Sequence, residues 1–138
     1  MRIVIDTNLW ISFLIGKKLT FLNTLLSSSE LTIYVCDELI GEIKTSGSKT
    51  KIQKYISDDD VNMIFDLIDV YCKHVILNNK AISPVRDPKD LFLLSLAETV
   101  FADFILTGDK DLLSLQSHSQ TRIITLRDFL HTYFYFSI

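Results

Sequence analysis

Apolar residues in this chain follow two alternating rhythms. The first is a set of short, mostly apolar runs: Ile3 to Ile5, Leu31 to Cys36, His74 to Leu77, Phe104 to Thr107 and Arg122 to Thr125. Continuous rather than alternating hydrophobicity over so few residues predicts strands covered on both faces, as parallel strands are. The second is helical spacing. Asn8 to Ile15 is punctuated by Gly16, and Leu19 to Ser28 carries Leu19, Leu22, Leu25 and Leu26 on one stripe. Asp37 to Lys44 reads as a helix with Asp37 as N-cap before Leu39, Ile40 and Ile43. The stretch SDDDVNMIFDLIDVYC sets Val61, Ile64, Phe65, Ile68 and Tyr71 on one face, with acids in its first turn where the helix dipole favours them. A helix from Asp87 to Ala102 opens on DPKD, with Pro88 near its first position. Lys110 to Leu115 and Arg127 to Tyr133 complete the set, and the lysine-bearing stretch after Lys44 reads as a loop.

Strand and helix in alternation predict an α/β fold, a three-layer α/β/α sandwich around a mainly parallel five-stranded sheet. With 138 residues, 48% of them hydrophobic, and no linker or repeat, residues 1–138 are expected to form one domain with a substantial core. Apolar runs stop well short of the ~20 residues needed to cross a bilayer, so neither a membrane span nor a signal peptide is expected. Cys36 and Cys72 lie far apart without metal-site spacing and read as reduced core thiols of a cytoplasmic protein.

Charge removes one easy explanation. A net charge of −3 gives no global attraction for nucleic acid, so a polyanion would need a local patch or a metal. Lys44, Lys49, Lys51 and Lys54 cluster in GEIKTSGSKTKIQK, either as a solvated face or as a phosphate-contact strip.

Parallel sheets bind ligands at the carboxyl ends of their strands, and there the chain places acids. Asp6 follows the first strand, and Asp109 and Asp111 follow the fourth in ILTGDKDLL. Asp87 and Asp90 open the helix before that strand, and Glu42 lies inside the helix after the second. Taken singly, each has a plain alternative: Asp6 and Asp109 as N-caps, Asp87 and Asp90 as partners of a helix dipole. Taken together, hard oxygen donors at rigid strand ends are what Mg²⁺ or Mn²⁺ requires, with Thr7, Asn8 and Thr107 as hydrogen-bonding supports. Gly108 is expected to supply the backbone freedom that turns Asp109 and Asp111 over the strand end.

The segments IVIDTNLWISFL, DELIGEI, DPKDLFLLSLAETVFADFILTGDKDLLSL and IITLRDFL resemble the PIN-domain family, in particular its small stand-alone toxins of toxin-antitoxin pairs (VapC-like). The resemblance runs from Arg2 to Leu130 and is weakest between Thr45 and Leu77. D-T-N after the first strand combined with T-G-D-x-D-L after the fourth carries its specificity. It implies a metal-dependent ribonuclease whose characteristic acids match Asp6, Glu42, Asp90 and Asp109, with Asp111 as an additional acid. Asn8 and Thr107 match supporting polar positions. Leu91 stands where relatives often carry a small or polar residue, and Asp87 offers a second carboxylate beside Asp90.

On that basis Asp6, Asp90 and Asp109 are expected to hold one Mg²⁺ or Mn²⁺, with Glu42 and Asp111 completing a second position or orienting the attacking water. RNA contacts fall to Lys49, Lys51, Lys54, Arg86 and Lys110. His74, His118 and His131 have no evident triad partner, which disfavours a nucleophilic mechanism. The resemblance also implies an antitoxin partner and a homodimer or higher oligomer. The apolar helices Leu9 to Ile15 and Leu19 to Leu26 and the tail Tyr133 to Phe136 are then either contact surfaces or core. Two alternatives are an inactive PIN-like protein-binding module and a receiver-like phosphoacceptor domain. The receiver lacks support, since the first strand ends in one acid and Thr125 follows the fifth.

Overall fold

The structure is a computed structural model that describes residues 1–77 and 88–133, apart from the side chains of 88 and 89. Strand β1 (Arg2–Ile5) lies inside the sheet, with Ile3, Val4 and Ile5 all fully buried. Consecutive residues point to opposite faces of a strand, so burial of all three means helices cover both sides. That is the expected three-layer arrangement.

Helices α1 (Thr7–Ile15) and α2 (Leu19–Ser27) carry the chain from β1 to β2 (Thr32–Val35), which pairs parallel with β1. Helix α3 (Asp37–Gly47) follows, then α4 (Thr50–Gln53), α5 (Asp58–Tyr71) and the short β3 (Lys73–His74) on the outside of β2. Helix α6 (Pro88–Val100) crosses back over the sheet, packing on β1, β2 and β4 (Phe104–Leu106). After α7 (Lys110–Leu115) come β5 (Ser117–His118), β6 (Thr121–Ile124) and α8 (Leu126–Thr132). Among the described residues the sheet order is β3-β2-β1-β4-β6-β5, parallel except for the β5–β6 hairpin. The chain builds outward from β1 on one side, then returns to build outward on the other. The topological switch point therefore lies between β1 and β4.

Four differences from the sequence reading have physical causes. The sheet has six strands rather than five, because Ser117–His118 pairs through backbone groups with no apolar rhythm to announce it. The third strand starts and ends early, at Lys73–His74, with one further bond from the Val75 N–H to the Val35 carbonyl; Ile76 is 78% exposed. The N-cap of α3 is Cys36, and Asp37 in the first turn instead meets the His74 imidazole at 2.8 Å. The lysine-bearing loop is largely helical. There α3 runs on to Gly47, where a Cβ would come within 3.3 Å of a Val61 methyl on α5, so glycine lets the two helices approach without displacing Val61. The Gln53 amide then donates to the Gly47 carbonyl at 2.6 Å and folds α4 back against the end of α3.

On α5 the helical stripe is observed, with Ile64 and Ile68 buried and Ser57 forming a reciprocal capping box with Asp60; Tyr71, at its edge, is partly exposed. Asp87, Arg86 and the tail beyond Tyr133 lie outside the described residues.

Candidate active site

At the switch point the Asp6 N–H is bonded to the Leu106 carbonyl at 3.0 Å, which locks the end of β1 to the end of β4. Asp6 sits at the N-cap position of α1, yet its side chain makes no capping hydrogen bond of ordinary geometry. Instead its Oδ2 accepts a 2.7 Å hydrogen bond from the Thr107 hydroxyl, and that same oxygen of Thr107 accepts from the Asp109 N–H at 3.0 Å. One buried threonine thus fixes the rotamer of one carboxylate and the backbone of another. Both residues at this junction are largely inaccessible, Asp6 at 5% and Thr107 at 1%.

Burial pushes the Asp6 carboxyl above its ordinary range. The Thr107 hydroxyl and the backbone N–H groups of Thr7 and Asn8 pull it partly back, and the nearby Asp109 charge adds to the rise. Asp109 does cap: its Oδ1 accepts from the N–H groups of Asp111 and Leu112 at the start of α7. The capping and cluster readings of Asp109 are therefore compatible.

These residues open into a polar cavity of about 180 Å³ lined by Asp6, Thr7, Asn8, Glu42, Ser46, Lys49, Asp90, Phe92, Leu93 and Asp109. Four carboxylates from four segments meet there: a strand end, the middle of α3, the first turn of α6 and the loop after β4. Helix α3 manages this by having two stripes. Leu39, Ile43 and Gly47 are buried, while Glu42 and Ser46, one turn apart, face the cavity. Ser46 escaped the sequence reading, although its i+4 relation to Glu42 was the available signal.

Other candidates are placed elsewhere. Asp111 is exposed in the first turn of α7 and does not line the cavity. Lys51, Lys54 and Lys110 are exposed and outside the lining, whereas Lys49 is part of it. Gly108 does not use the freedom expected of it: its φ is not positive, and a Cβ there would meet nothing within 4 Å.

The donor set is entirely hard oxygen, with carboxylates outnumbering the one lysine, and this chemistry fits Mg²⁺ or Mn²⁺. Among the described residues, no three Asp, Glu, His or Cys side chains stand ready-made as a metal cage.

A nucleophilic alternative finds no support. Burial pushes the Cys36 thiol up to about 11 and the Cys72 thiol up to about 12, and both cysteines are free. His118 meets Glu98 at 2.6 Å and His74 meets Asp37, both pairs away from the cavity, and His131 is exposed on α8.

A second cavity, of about 730 Å³, opens between α1, α2 and α8 and is lined by Leu9, Phe13, Ile15, Phe21, Leu126 and Leu130 among others. Among the described residues, no helix is long and apolar enough to cross a membrane.

A family model described as "PIN domain" matches residues 2–111. The chain belongs to the PIN-domain family. Its members are generally metal-dependent nucleases, and this membership sets aside the receiver-like alternative. It is 30% identical over 128 residues to "Uncharacterized protein MJ1680" of Methanocaldococcus jannaschii, covering 87% of this chain and 78% of that protein. Its fold is similar to VapBC2 from Rickettsia felis, solved bound to a DNA fragment from its promoter: TM-score 0.55, 14% identity, 89% of this chain and 97% of that one. The PIN domain of T. brucei RRP44 is similar with TM-score 0.51 and 12% identity, over 94% of this chain and 78% of that one.

Proposed function

We propose that residues 1–138 form one cytoplasmic PIN domain acting as a divalent-metal-dependent ribonuclease, the toxin of a toxin-antitoxin pair. The observation that carries the reading is the meeting of Asp6, Glu42, Asp90 and Asp109 in one polar cavity at the β1/β4 switch point.

Asp6, Asp90 and Asp109 would hold Mg²⁺ or Mn²⁺. When bound, such an ion offsets the negative charge that builds on a phosphodiester and makes water a better nucleophile near neutral pH. Glu42 orients the attacking water and receives its proton. Thr107 holds Asp6 and the Asp109 backbone in place, so neither must reorganise as charge develops. Thr7 and Asn8 flank Asp6 on the cavity wall. Asp111, exposed nearby, is left outside this set.

The apolar groove between α1, α2 and α8 is assigned to protein partners, an antitoxin segment or a second copy of the chain. The fold similarity to VapBC2 supports that assignment.

The test is cleavage of a fluorogenic RNA with Mn²⁺, Mg²⁺ or EDTA. Activity should require the metal and fall at least ~10²-fold in Asp6→Asn, as for loss of a preorganised electrostatic group. Melting raised by Mn²⁺ without cleavage would favour the inactive binding module, and an equally active Asp6→Asn would refute the metal role.

A further inference from the structure

A cavity walled by four carboxylates on an acidic chain repels the polyanion it is meant to bind. The cation that remedies this at the site should line the cavity, be held at a fixed place and lack a protein counter-ion. Lys49 meets all three conditions. It is the single cation among the described cavity-lining residues. No described carboxylate pairs with it: the ion pairs found among the described residues belong to His74 and His118.

Its backbone is held on both sides. The Lys49 N–H donates to the Ser46 carbonyl at 3.3 Å, and its own carbonyl accepts from the N–H groups of Ile52 and Gln53, each at 2.9 Å. The Gln53 amide clamp on Gly47, and the contact of Gly47 with Val61, fix the corner from behind. Ser46, half-buried on the same wall, hydrogen-bonds to no described residue through its hydroxyl, unlike Ser48, whose hydroxyl donates to Thr45. Lys44, five residues before Lys49, lies instead over the Phe65 ring.

We propose that Ser46 and Lys49 form the anchor for a phosphodiester of the RNA substrate. The ε-ammonium takes a non-bridging oxygen and the Ser46 hydroxyl donates to the same phosphate. This rests on the nuclease reading of the cavity and goes beyond it by separating the one lysine that lines the cavity, itself exposed, from Lys51 and Lys54, which do not line it. Lys49 and Ser46 are positioning residues: they hold the phosphate, and the carboxylates serve the chemistry.

The experiment measures binding and turnover separately. Fluorescence anisotropy with a labelled RNA dodecamer, in Ca²⁺ and over a series of salt concentrations, reads binding without relying on cleavage. Lys49→Met should weaken binding about tenfold and flatten the salt dependence by roughly the share of one phosphate contact, while Lys49→Arg restores the slope. Ser46→Ala should weaken binding by about threefold, the loss of one hydrogen bond. The distant, exposed Lys73→Met should match wild type. With Mn²⁺, Lys49→Met should raise KM far more than it lowers kcat.

Equal affinity and slope for wild type and Lys49→Met would overturn the anchor and leave the nuclease reading intact. A drop in Tm with unchanged binding would assign Lys49 to stability and also overturn it. A wild type that binds RNA but never cleaves, with binding still lost in Lys49→Met, would sink the nuclease reading and uphold the anchor.

Discussion

The acidic cleft and the apolar groove of this chain meet at neighbouring residues of one helix. Asn8 lines the acidic cleft and Leu9, the next residue, lines the apolar groove. The cleft is small and its acids are set by directional hydrogen bonds, from the Thr107 hydroxyl to Asp6 and from the Asp109 N–H to the Thr107 hydroxyl oxygen. The groove is about four times larger and walled mostly by apolar side chains, whose main demand is removal from water. The cleft therefore depends on the position of single atoms, and the groove on total area. Substitutions should separate the two: isosteric changes should hurt the cleft and spare the groove, and changes in volume should do the reverse.

The largest expected effect on stability lies behind the groove. Phe129 on α8 is fully buried and packs edge-on to Phe104 with ring centroids 5.4 Å apart. Phe129→Ala should cost about 3–5 kcal/mol in urea unfolding. Leu130→Ser, on the groove wall itself, should change stability much less while weakening any partner complex seen by light scattering.

In the cleft, Thr107→Val keeps the shape and removes one hydroxyl. It strands Asp6 Oδ2 and the Asp109 N–H, at a cost of about 1–3 kcal/mol. Cleavage should fall by roughly 10–100-fold, the usual range when a supporting partner of a metal ligand is lost.

Removing the charge rather than its support gives a smaller effect of opposite sign. The Asp6 carboxyl is raised in the folded chain, so protonation favours folding. Its contribution is fully present below the ordinary value of 3.8 and is lost as pH rises through the folded-state value. In EDTA at neutral pH, Asp6→Asn should therefore melt a few degrees above wild type, a shift on the order of 1 kcal/mol. That gap should close on acidification. A variant melting below wild type at neutral pH would contradict the claim that Asp6 is held there at the expense of stability.

Gly108→Ala should be nearly silent, within about 0.5 kcal/mol. Its open surroundings and ordinary φ leave nothing for the methyl group to strain.

Legibility in the sequence followed the same division. Where burial dictates residue type, the reading was close: β1, β4 and α7 lie where continuous apolar runs and helical spacing put them. It missed β5, whose Ser117 and His118 are joined to β6 by backbone bonds that any residue makes. It missed the helical end of α3 because Gly47 and Ser48 carry turn chemistry, and only the close approach of Val61 explains the glycine. Among the candidate acids, Asp6, Glu42, Asp90 and Asp109 line one cavity, whereas Asp111 does not. Alternation along the chain cannot separate Asp109 from Asp111, two residues apart at a helix start, since both satisfy the helix dipole.

The central claim is that Asp6, Asp90 and Asp109 hold one divalent ion in the cavity they line with Glu42. Titration of Mn²⁺ followed by loss of the free-ion paramagnetic resonance signal tests it without substrate or partner. Wild type should take up Mn²⁺ saturably, and Asp6→Asn and Asp109→Asn should each weaken uptake at least about tenfold. Uptake unchanged in both variants would contradict the account.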